Sequence, residues 1–357
     1  MVKEPNIADI AALSGVSVAT VSRYFSGAGR VSEATAERIA RICEQEGYSP
    51  KKYRHRNSRI YGALVGIIVA DLNNVFFLEI IQSITDVLHN HNVEVVICNS
   101  DESPENEIRS LSVLRKIAVG IIISPVSNSA EYNSQFIESI NKEDIPVVLL
   151  DRDTKSGNLS GVFQNNYSGS VLAIQTLINN GHRNIGIITG PTTTKPGLER
   201  LSGYLDTLRI NKLPIVSDYI MYGDFRTESS EALTRQLLSK HSEVTALFCT
   251  NNMMAQGAYT AIRQLGMSVP QDIALISYGE ISSDFMHSNY ITKIKQPTVE
   301  IGRECAIILL NLINKKQQKE KRVTFESLLR IRGSEVYPTN RKKHNLRQTL
   351  DLPPALI

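Results

Sequence analysis

Residues 6–25 read NIADIAALSGVSVATVSRYF, and the rest of the chain is organised around this stretch. Ile7, Ile10, Ala11 and Leu13 recur at roughly i, i+3, i+4, the stripe of a short amphipathic helix. Asn6 stands where an N-cap is needed, and Asp9 three residues on completes a capping-box-like start. Gly15 falls where the turn needs a left-handed residue, and Ser17 is placed to cap a second helix from Val18 to Phe25. In that helix Val21 and Phe25 face the core, while Ala19, Thr20 and Arg23 face out. A third helix follows, capped by Ser32, with Ala36, Ile39, Ala40 and Cys43 spaced to bury the back of the first two. Two short helices joined by a tight turn containing Gly form a helix-turn-helix, whose second helix enters the DNA major groove. The same pattern also suits a plain helical hairpin with no ligand.

Charge supports the first reading. Residues 1–61 carry ten Lys/Arg against six Asp/Glu, whereas the remainder carries 29 against 30. The excess gathers at Lys51, Lys52, Arg54, Arg56 and Arg59, in a polar linker directly after the three helices. There it reads as a phosphate-contacting segment rather than ordinary solvated surface. With 357 residues the chain is too long for one core. No apolar run approaches the roughly 18 residues of a membrane span. The N-terminus has no apolar core of a signal peptide, so a cytoplasmic protein is expected. Cys43, Cys98, Cys249 and Cys305 lie far apart without metal spacing and are expected to be reduced and buried.

After residue 62 the pattern changes. ALVGIIVA at 63–70 is a continuous apolar run, as for a strand buried on both faces. Helical and strand patterns then alternate to Asp151: helix 76–90, strand 93–98, helix 104–118, strand 120–124, helix 130–142, strand 147–151. A second series runs from 167 to 277, followed by a strand after Ile291, a helix over 297–314 and a last strand over 325–332. Such alternation implies parallel sheets with right-handed crossovers, and two series imply two doubly wound lobes with a cleft between them. Ligands in such sheets bind beyond the carboxyl ends of strands, here at Asp71, Asp151, Gly190 and residues 250–252.

Two stretches, ADIAALSGVSVATVSRYFSG and VSEATAERIARICEQEGYSP, resemble the N-terminal domain of the lactose-repressor (LacI/GalR) family of bacterial transcription regulators. The body resembles the same family in VGIIVADLNNVFF, GHRNIGIITGP, NNMMAQGAYTAIRQLGMSVPQDIALISY, KIKQP and RIRGSE. The resemblance implies an all-α helix-turn-helix domain (1–50), a basic hinge (51–61), and a periplasmic-binding-protein-like sensor of two doubly wound parallel-sheet lobes (62–338). Lobe 1 is expected at about 62–161 and 291–320, and lobe 2 at about 162–290 and 321–338, with three crossings between them. The tail, 339–357, is too short for three heptads and contains Pro353 and Pro354, so no tetramerising coiled coil is expected.

Expected DNA-binding residues follow. Arg23 is placed for a bidentate contact to guanine O6 and N7, or for a phosphate. Val18 and Ala19 match the family's base-selecting positions, and being apolar they could read a thymine methyl or allow close approach. Thr20 and Ser22 suit phosphate contacts. The linker departs from the family, whose hinge helix wedges a Leu into the minor groove. Asn57 stands at that position, and Asn cannot unstack a base step as an apolar wedge does. Either Ile60 or Tyr61 takes over, or the DNA bends less, or Arg54 and Arg56 enter a narrow minor groove.

For the effector, Arg200 matches the family's ligand-binding Arg; its bland alternative is a surface ion pair with a neighbour such as Asp206. Asp71, Asp151, Asn251 and Asn252 stand at strand-end positions. Phe76 and Phe77 are either a stacking wall or core. The family's Asp after the Gly-Tyr-like step is missing here, and Glu280 is the expected substitute. Thr194 and Lys195 occupy a variable loop, where Lys195 meets an anion or only water.

The expected function, as the resemblance implies, is a homodimeric, operator-binding transcription regulator acting as a repressor and controlled by a small polar ligand such as a sugar or sugar derivative. Two-fold symmetry would match a palindromic site. A transport-type binding protein with the same lobes is the second reading. An enzyme is the third, and the chain has no P-loop, HExxH or GxSxG elbow to support it. No cofactor, metal or membrane partner is expected.

Overall fold

The computed structural model describes residues 5–26, 31–46, 48, 63–127, 134–143, 145–154, 157–281, 290–315 and 319–338. The linker (51–61), with Lys51, Lys52, Arg54, Arg56 and Asn57, and the tail after Pro338 lie outside the described residues.

Three helices form the N-terminal unit: α1 (Ile7–Ser14), α2 (Val18–Ser26) and α3 (Glu33–Gln45). Asn6 and Asp9 close a reciprocal capping box on α1, satisfying donors that a helix start leaves unpaired. Gly15 ends α1 at φ 63°, the left-handed conformation that costs a residue without Cβ little. Ser17 Oγ accepts from the Thr20 amide at 3.1 Å, which starts α2. Ile10, Ala11, Val21 and Ile39 form the buried centre, with Phe25, Ile42, Cys43 and Tyr48 packed against it. Leu13, expected on the buried stripe, is 55% exposed, and Ala40 is exposed too. Three helices this short enclose only the residues nearest their common axis.

The first strand of the body, β1 (Ala63–Val69), is followed by α4 (Val75–His89), β2 (Val93–Asn99), α5 (Pro104–Ile117), β3 (Gly120–Ile123), α6 (Ser134–Lys142), β4 (Val147–Leu150) and β5 (Ser160–Gln164). The second lobe begins with α7 (Asn166–Asn179), β6 (Ile185–Thr189), α8 (Lys195–Ile210), β7 (Ile220–Tyr222) and α9 (Thr227–Lys240). It continues through β8 (Ala246–Cys249), α10 (Asn252–Gln264), β9 (Ala274–Tyr278) and β10 (Thr292–Lys295). Then come α11 (Thr298–Ile313), β11 (Arg322–Phe325) and β12 (Leu328–Arg330). The strands form two six-stranded sheets, ordered β11-β5-β4-β3-β1-β2 and β12-β10-β9-β8-β6-β7. All recorded pairings are parallel except β10 with β12, so helices cover both faces and the strands read as unbroken apolar runs. Helices α4 and α11 bury one face of the first sheet, and α5 and α6 the other.

The crossings fall a few residues from the expected boundaries. Strand β10, expected in lobe 1, pairs with β9 in the second sheet. Strand β11, expected in lobe 2, pairs with β5 in the first. The single last strand expected over 325–332 is two strands in different sheets, parted at Glu326–Ser327. There Glu326 accepts from Asn165 Nδ2 at 2.8 Å and from Ser168 Oγ at 2.7 Å, tying this crossing to the one that enters α7. Strand β5 was not expected as a strand. Its sequence SGVFQ has the polar ends of a loop, yet all five residues are buried between β4 and β11. Among the cysteines, Cys249 and Cys305 are buried thiols, while Cys43 and Cys98 are only half-buried; all four are free.

Candidate DNA-reading face and interlobe cleft

Helix α2 presents the side chains the sequence pointed to. Val18, Ala19 and Arg23 are exposed along α2, and Thr20 and Ser22 are half-buried at its edges. Val21, on the opposite face, is fully buried and fixes which side looks out. The Thr20 hydroxyl lies 2.8 Å from Ser17 Oγ, and Arg23 Nε donates to the Ala19 carbonyl at 3.3 Å, which folds the guanidinium back along the helix. An Arg on such a face must swing out to reach a base edge.

The second site lies where the two sheets' carboxyl ends face each other. Asp71 follows β1, Glu102 follows β2, and Asp151 and Arg152 follow β4. From the other lobe come Arg200 of α8, residues 224–226 after β7, Asn251 and Asn252 after β8, and Gln296 after β10. With Asn74, Phe76, Phe77 and Pro196 they line a narrow cleft of about 40 Å³. Two charges in it are locked from within. Arg200 is 4% exposed; its Nε donates to Asn166 Oδ1 at 2.8 Å, its Nη1 to the Thr250 carbonyl at 2.6 Å, and its guanidinium lies 3.9 Å from the Tyr278 ring centroid. The surface pairing with Asp206 is not made; Asp206 holds Arg209 instead. Arg152 is equally buried, gripped by both Glu102 oxygens and by the carbonyls of Pro125 and Val126. Burial alone would lower its pKa, but the carboxylates of Glu102, Asp151 and Glu107 together outweigh that and raise it.

Asp151 is buried in a left-handed conformation, φ 60°, and accepts from Gln164 Nε2 at 2.8 Å. Asn251 caps α10 through Met254 N and donates to the Phe225 carbonyl. Asn252 Nδ2 reaches across to Asn74 Oδ1 at 3.0 Å, so the lobes touch inside the cleft. Phe76 and Phe77 stand edge-to-face, 5.0 Å between centroids, and belong to the lobe 1 core while showing an edge to the cleft. Opposite them Phe225 also adopts a left-handed backbone, φ 68°. Its ring rests on Gly190, where a Cβ would come within 1.9 Å of the ring.

Three expected residues lie away from this lining. Glu280 is ion-paired to Lys293 on the neighbouring strand and faces a separate groove beside α4 and α11. Thr194 is the buried N-cap of α8, its hydroxyl donating to the Pro191 carbonyl and accepting from the Gly197 amide. Lys195 reaches Asp153 of the other lobe at 3.6 Å and lies 4.6 Å from the Phe163 ring centroid. The reading from sequence missed Asn74, Glu102, Arg152, Asp224, Phe225, Arg226 and Gln296. Arg152 directly follows a strand end already noted, and Gln296 sits in KIKQP. Residues 224–226 follow a strand too short to end visibly in the sequence.

Residues 6–51 match the model for bacterial regulatory proteins of the lacI family, and residues 174–334 that for a periplasmic binding protein-like domain. The HTH-type transcriptional repressor PurR of Actinobacillus pleuropneumoniae serotype 3 is 30% identical over 331 residues, 92% of this chain and 97% of the repressor. The repressor PurR of Photorhabdus laumondii is 30% identical over 318 residues, 88% and 92% of the two chains. Among solved structures, the transcriptional regulator CelR in complex with cellobiose aligns at TM-score 0.68 and 27% identity, over 92% of this chain and 99% of that one. The lac repressor dimer bound to operator and the anti-inducer ONPF aligns at TM-score 0.68 and 23% identity, over 94% and 100%; at that identity it speaks for the fold. The match over residues 6–51 sets aside the transport-type binding protein, which has no such domain.

Proposed function

This chain belongs to the LacI family of bacterial regulatory proteins, and from that premise we propose how it works as a transcriptional regulator. Two copies present their α2 helices to the half-sites of a palindromic operator, and a small polar ligand in the interlobe cleft sets the DNA affinity. Val18, Ala19 and Arg23 read bases in the major groove, Thr20 and Ser22 hold phosphates, and the basic linker at 51–61 adds backbone contacts. Action on DNA puts the protein in the bacterial cytoplasm, and no helix among the described residues is long and apolar enough to cross a membrane. Its relatives are transcriptional regulators, and no reaction is assigned to the cleft.

The observation that carries the ligand reading is the composition of the cleft wall. Carboxylates of Asp71 and Asp151, amides of Asn74, Asn251, Asn252 and Gln296, and the guanidinium of Arg200 surround the edges of Phe76, Phe77 and Phe225. Acceptors, donors and an apolar face in that mixture suit a hydroxylated ring, whose hydroxyls both give and accept hydrogen bonds. The CelR–cellobiose complex makes a sugar the first class to try. A ligand that prefers one lobe arrangement shifts the DNA-competent population by the same factor, reciprocally. Calorimetric titration with cellobiose, ribose, other mono- and disaccharides and nucleobases tests this. One class should bind, weaken on Asp151→Asn, and change operator affinity by the factor by which operator changes its own affinity. Binding that leaves operator affinity untouched would remove the regulatory coupling.

A further inference from the structure

Two loops meet across the cleft mouth, and each carries unusual backbone. After β2, Asp101 and Glu102 are consecutive left-handed residues, φ 52° and 54°. After β7, Phe225 stands at φ 68°. Asp tolerates that region, but Glu and Phe do so rarely, and such conformations persist where the surroundings hold them in place. Arg226 Nη2 reaches Asp101 Oδ1 at 2.9 Å and its carbonyl at 3.3 Å. Beside it, the Arg152 guanidinium held by Glu102 lies 5.4 Å from the Phe225 ring centroid, cation over face. The Arg226 amide is in turn pinned by Asp224 Oδ1 at 3.0 Å, and the Glu102 amide by the Ala70 carbonyl at 3.1 Å.

We infer that these loops form a clasp, Asp101–Glu102–Arg152 of lobe 1 on Phe225–Arg226 of lobe 2, that biases the lobes toward the closed arrangement. Taken alone, Arg226–Asp101 is an exposed ion pair of little weight, both side chains about half exposed. Its neighbour changes that. On lobe 2 the adjacent residues Phe225 and Arg226 make the cation–ring contact and the ion pair, while on lobe 1 Asp101 supplies the carboxylate and its neighbour Glu102 holds Arg152 as the cation, so separating the lobes breaks both. The left-handed turns aim neighbouring acids at different arginines, one in its own lobe and one in the other. Ligand binding and operator binding then both draw on the same closure equilibrium, and the clasp sets its resting position. This rests on the regulator reading for its effect on DNA, but not for its effect on closure.

A double-mutant cycle on the full-length protein tests it. Asp101→Asn removes the charge and keeps a residue that accepts the left-handed backbone; Arg226→Gln removes the other charge. The probes are operator DNA selected with the wild-type protein and native-state hydrogen exchange at residues 101–102 and 225–226. Each single change should shift operator affinity about two- to five-fold in one common direction, and the double change no further than either. Exchange should quicken in both loops whichever is altered, with the melting temperature moved by less than about 2 °C. Additive or absent affinity changes, or exchange that quickens only in the altered loop, overturn the clasp. If the wild-type protein selects no operator, the regulator reading fails, and the exchange measurement alone decides the clasp.

Discussion

Replacing Arg200 by Ala separates two roles a buried cleft arginine can have. Its Nε and Nη1 hold Asn166 and the Thr250 carbonyl at 2.8 and 2.6 Å, and its plane covers Tyr278. Asn166 opens α7, Thr250 follows β8 and Tyr278 ends β9, so one side chain joins three elements of lobe 2. Two hydrogen bonds from a charged donor are each worth about 1.5–3 kcal/mol, and the ring contact about 0.5–2 kcal/mol. Truncation opens the gap to the cleft, where water re-solvates the orphaned acceptors and returns part of this. The net loss should be about 2–4 kcal/mol, or roughly 3–7 °C of melting temperature for a sensor of this size. Differential scanning calorimetry without ligand is the assay. Arg200→Lys should lose about half as much, because an ammonium cannot span both acceptors in one plane. A shift below about 2 °C for Arg200→Ala would show that the residue is no strut of lobe 2, and the reasoning would fail.

Three other outcomes follow from the same geometry. His182 is buried, with Nε2 3.1 Å from the Glu335 carbonyl and Nδ1 2.9 Å from Thr245 Oγ1. The carbonyl requires Nε2–H, and burial lowers the imidazole pKa below its ordinary 6.5. The unfolded chain then binds the proton more readily. Stability from this site is complete above about pH 6.5 and is lost as pH falls through the lower folded value. Melts between pH 7.5 and 5.5 should show the decline, and His182→Gln should flatten it from a lower start. Gly190→Ala, whose Cβ would collide with Phe225, should displace that ring and weaken cleft ligand binding about ten-fold or more; titration with whichever sugar binds the wild type checks it. Ile10→Ala removes a wholly buried side chain from a core with four buried apolar residues among those described. Its cost of about 2–5 kcal/mol is comparable to the stability of so small a domain, so operator binding should vanish while the sensor's calorimetric transition stays.

How much of this was legible in the sequence depended on local against long-range determinants. Asn6, Asp9, Gly15 and Ser17 act within one turn of their own helix, and they stand where the spacing put them. Strands buried on both faces announce themselves by composition, as β1 does. The crossings were less legible, because Glu326 and Asn165 meet across 161 positions of sequence and nothing local marks them. Strand β5 escaped because its Ser and Gln meet partners outside their own segment, Ser160 accepting from the Lys321 amide and Gln164 bonded to Asp151 and Gln296. Among cleft residues, strand ends led to Asp71, Asp151, Asn251 and Asn252. Glu280 misled because its partner, Lys293, comes from a strand whose register the sequence does not give. Arg152 was passed over because a buried arginine is unusual until Glu102 is seen to hold it.

The measurement closest to the central claim is operator selection from random DNA with the full-length protein, at about 0.1 M salt, where non-specific binding is already weak. Wild-type protein should enrich one palindrome whose half-sites contain a guanine, and Arg23→Ala should lose selectivity at that guanine, worth about 1–3 kcal/mol. Enrichment of no motif by the wild type, or of the same motif undiminished by Arg23→Ala, would contradict the account of α2 as the reader of an operator.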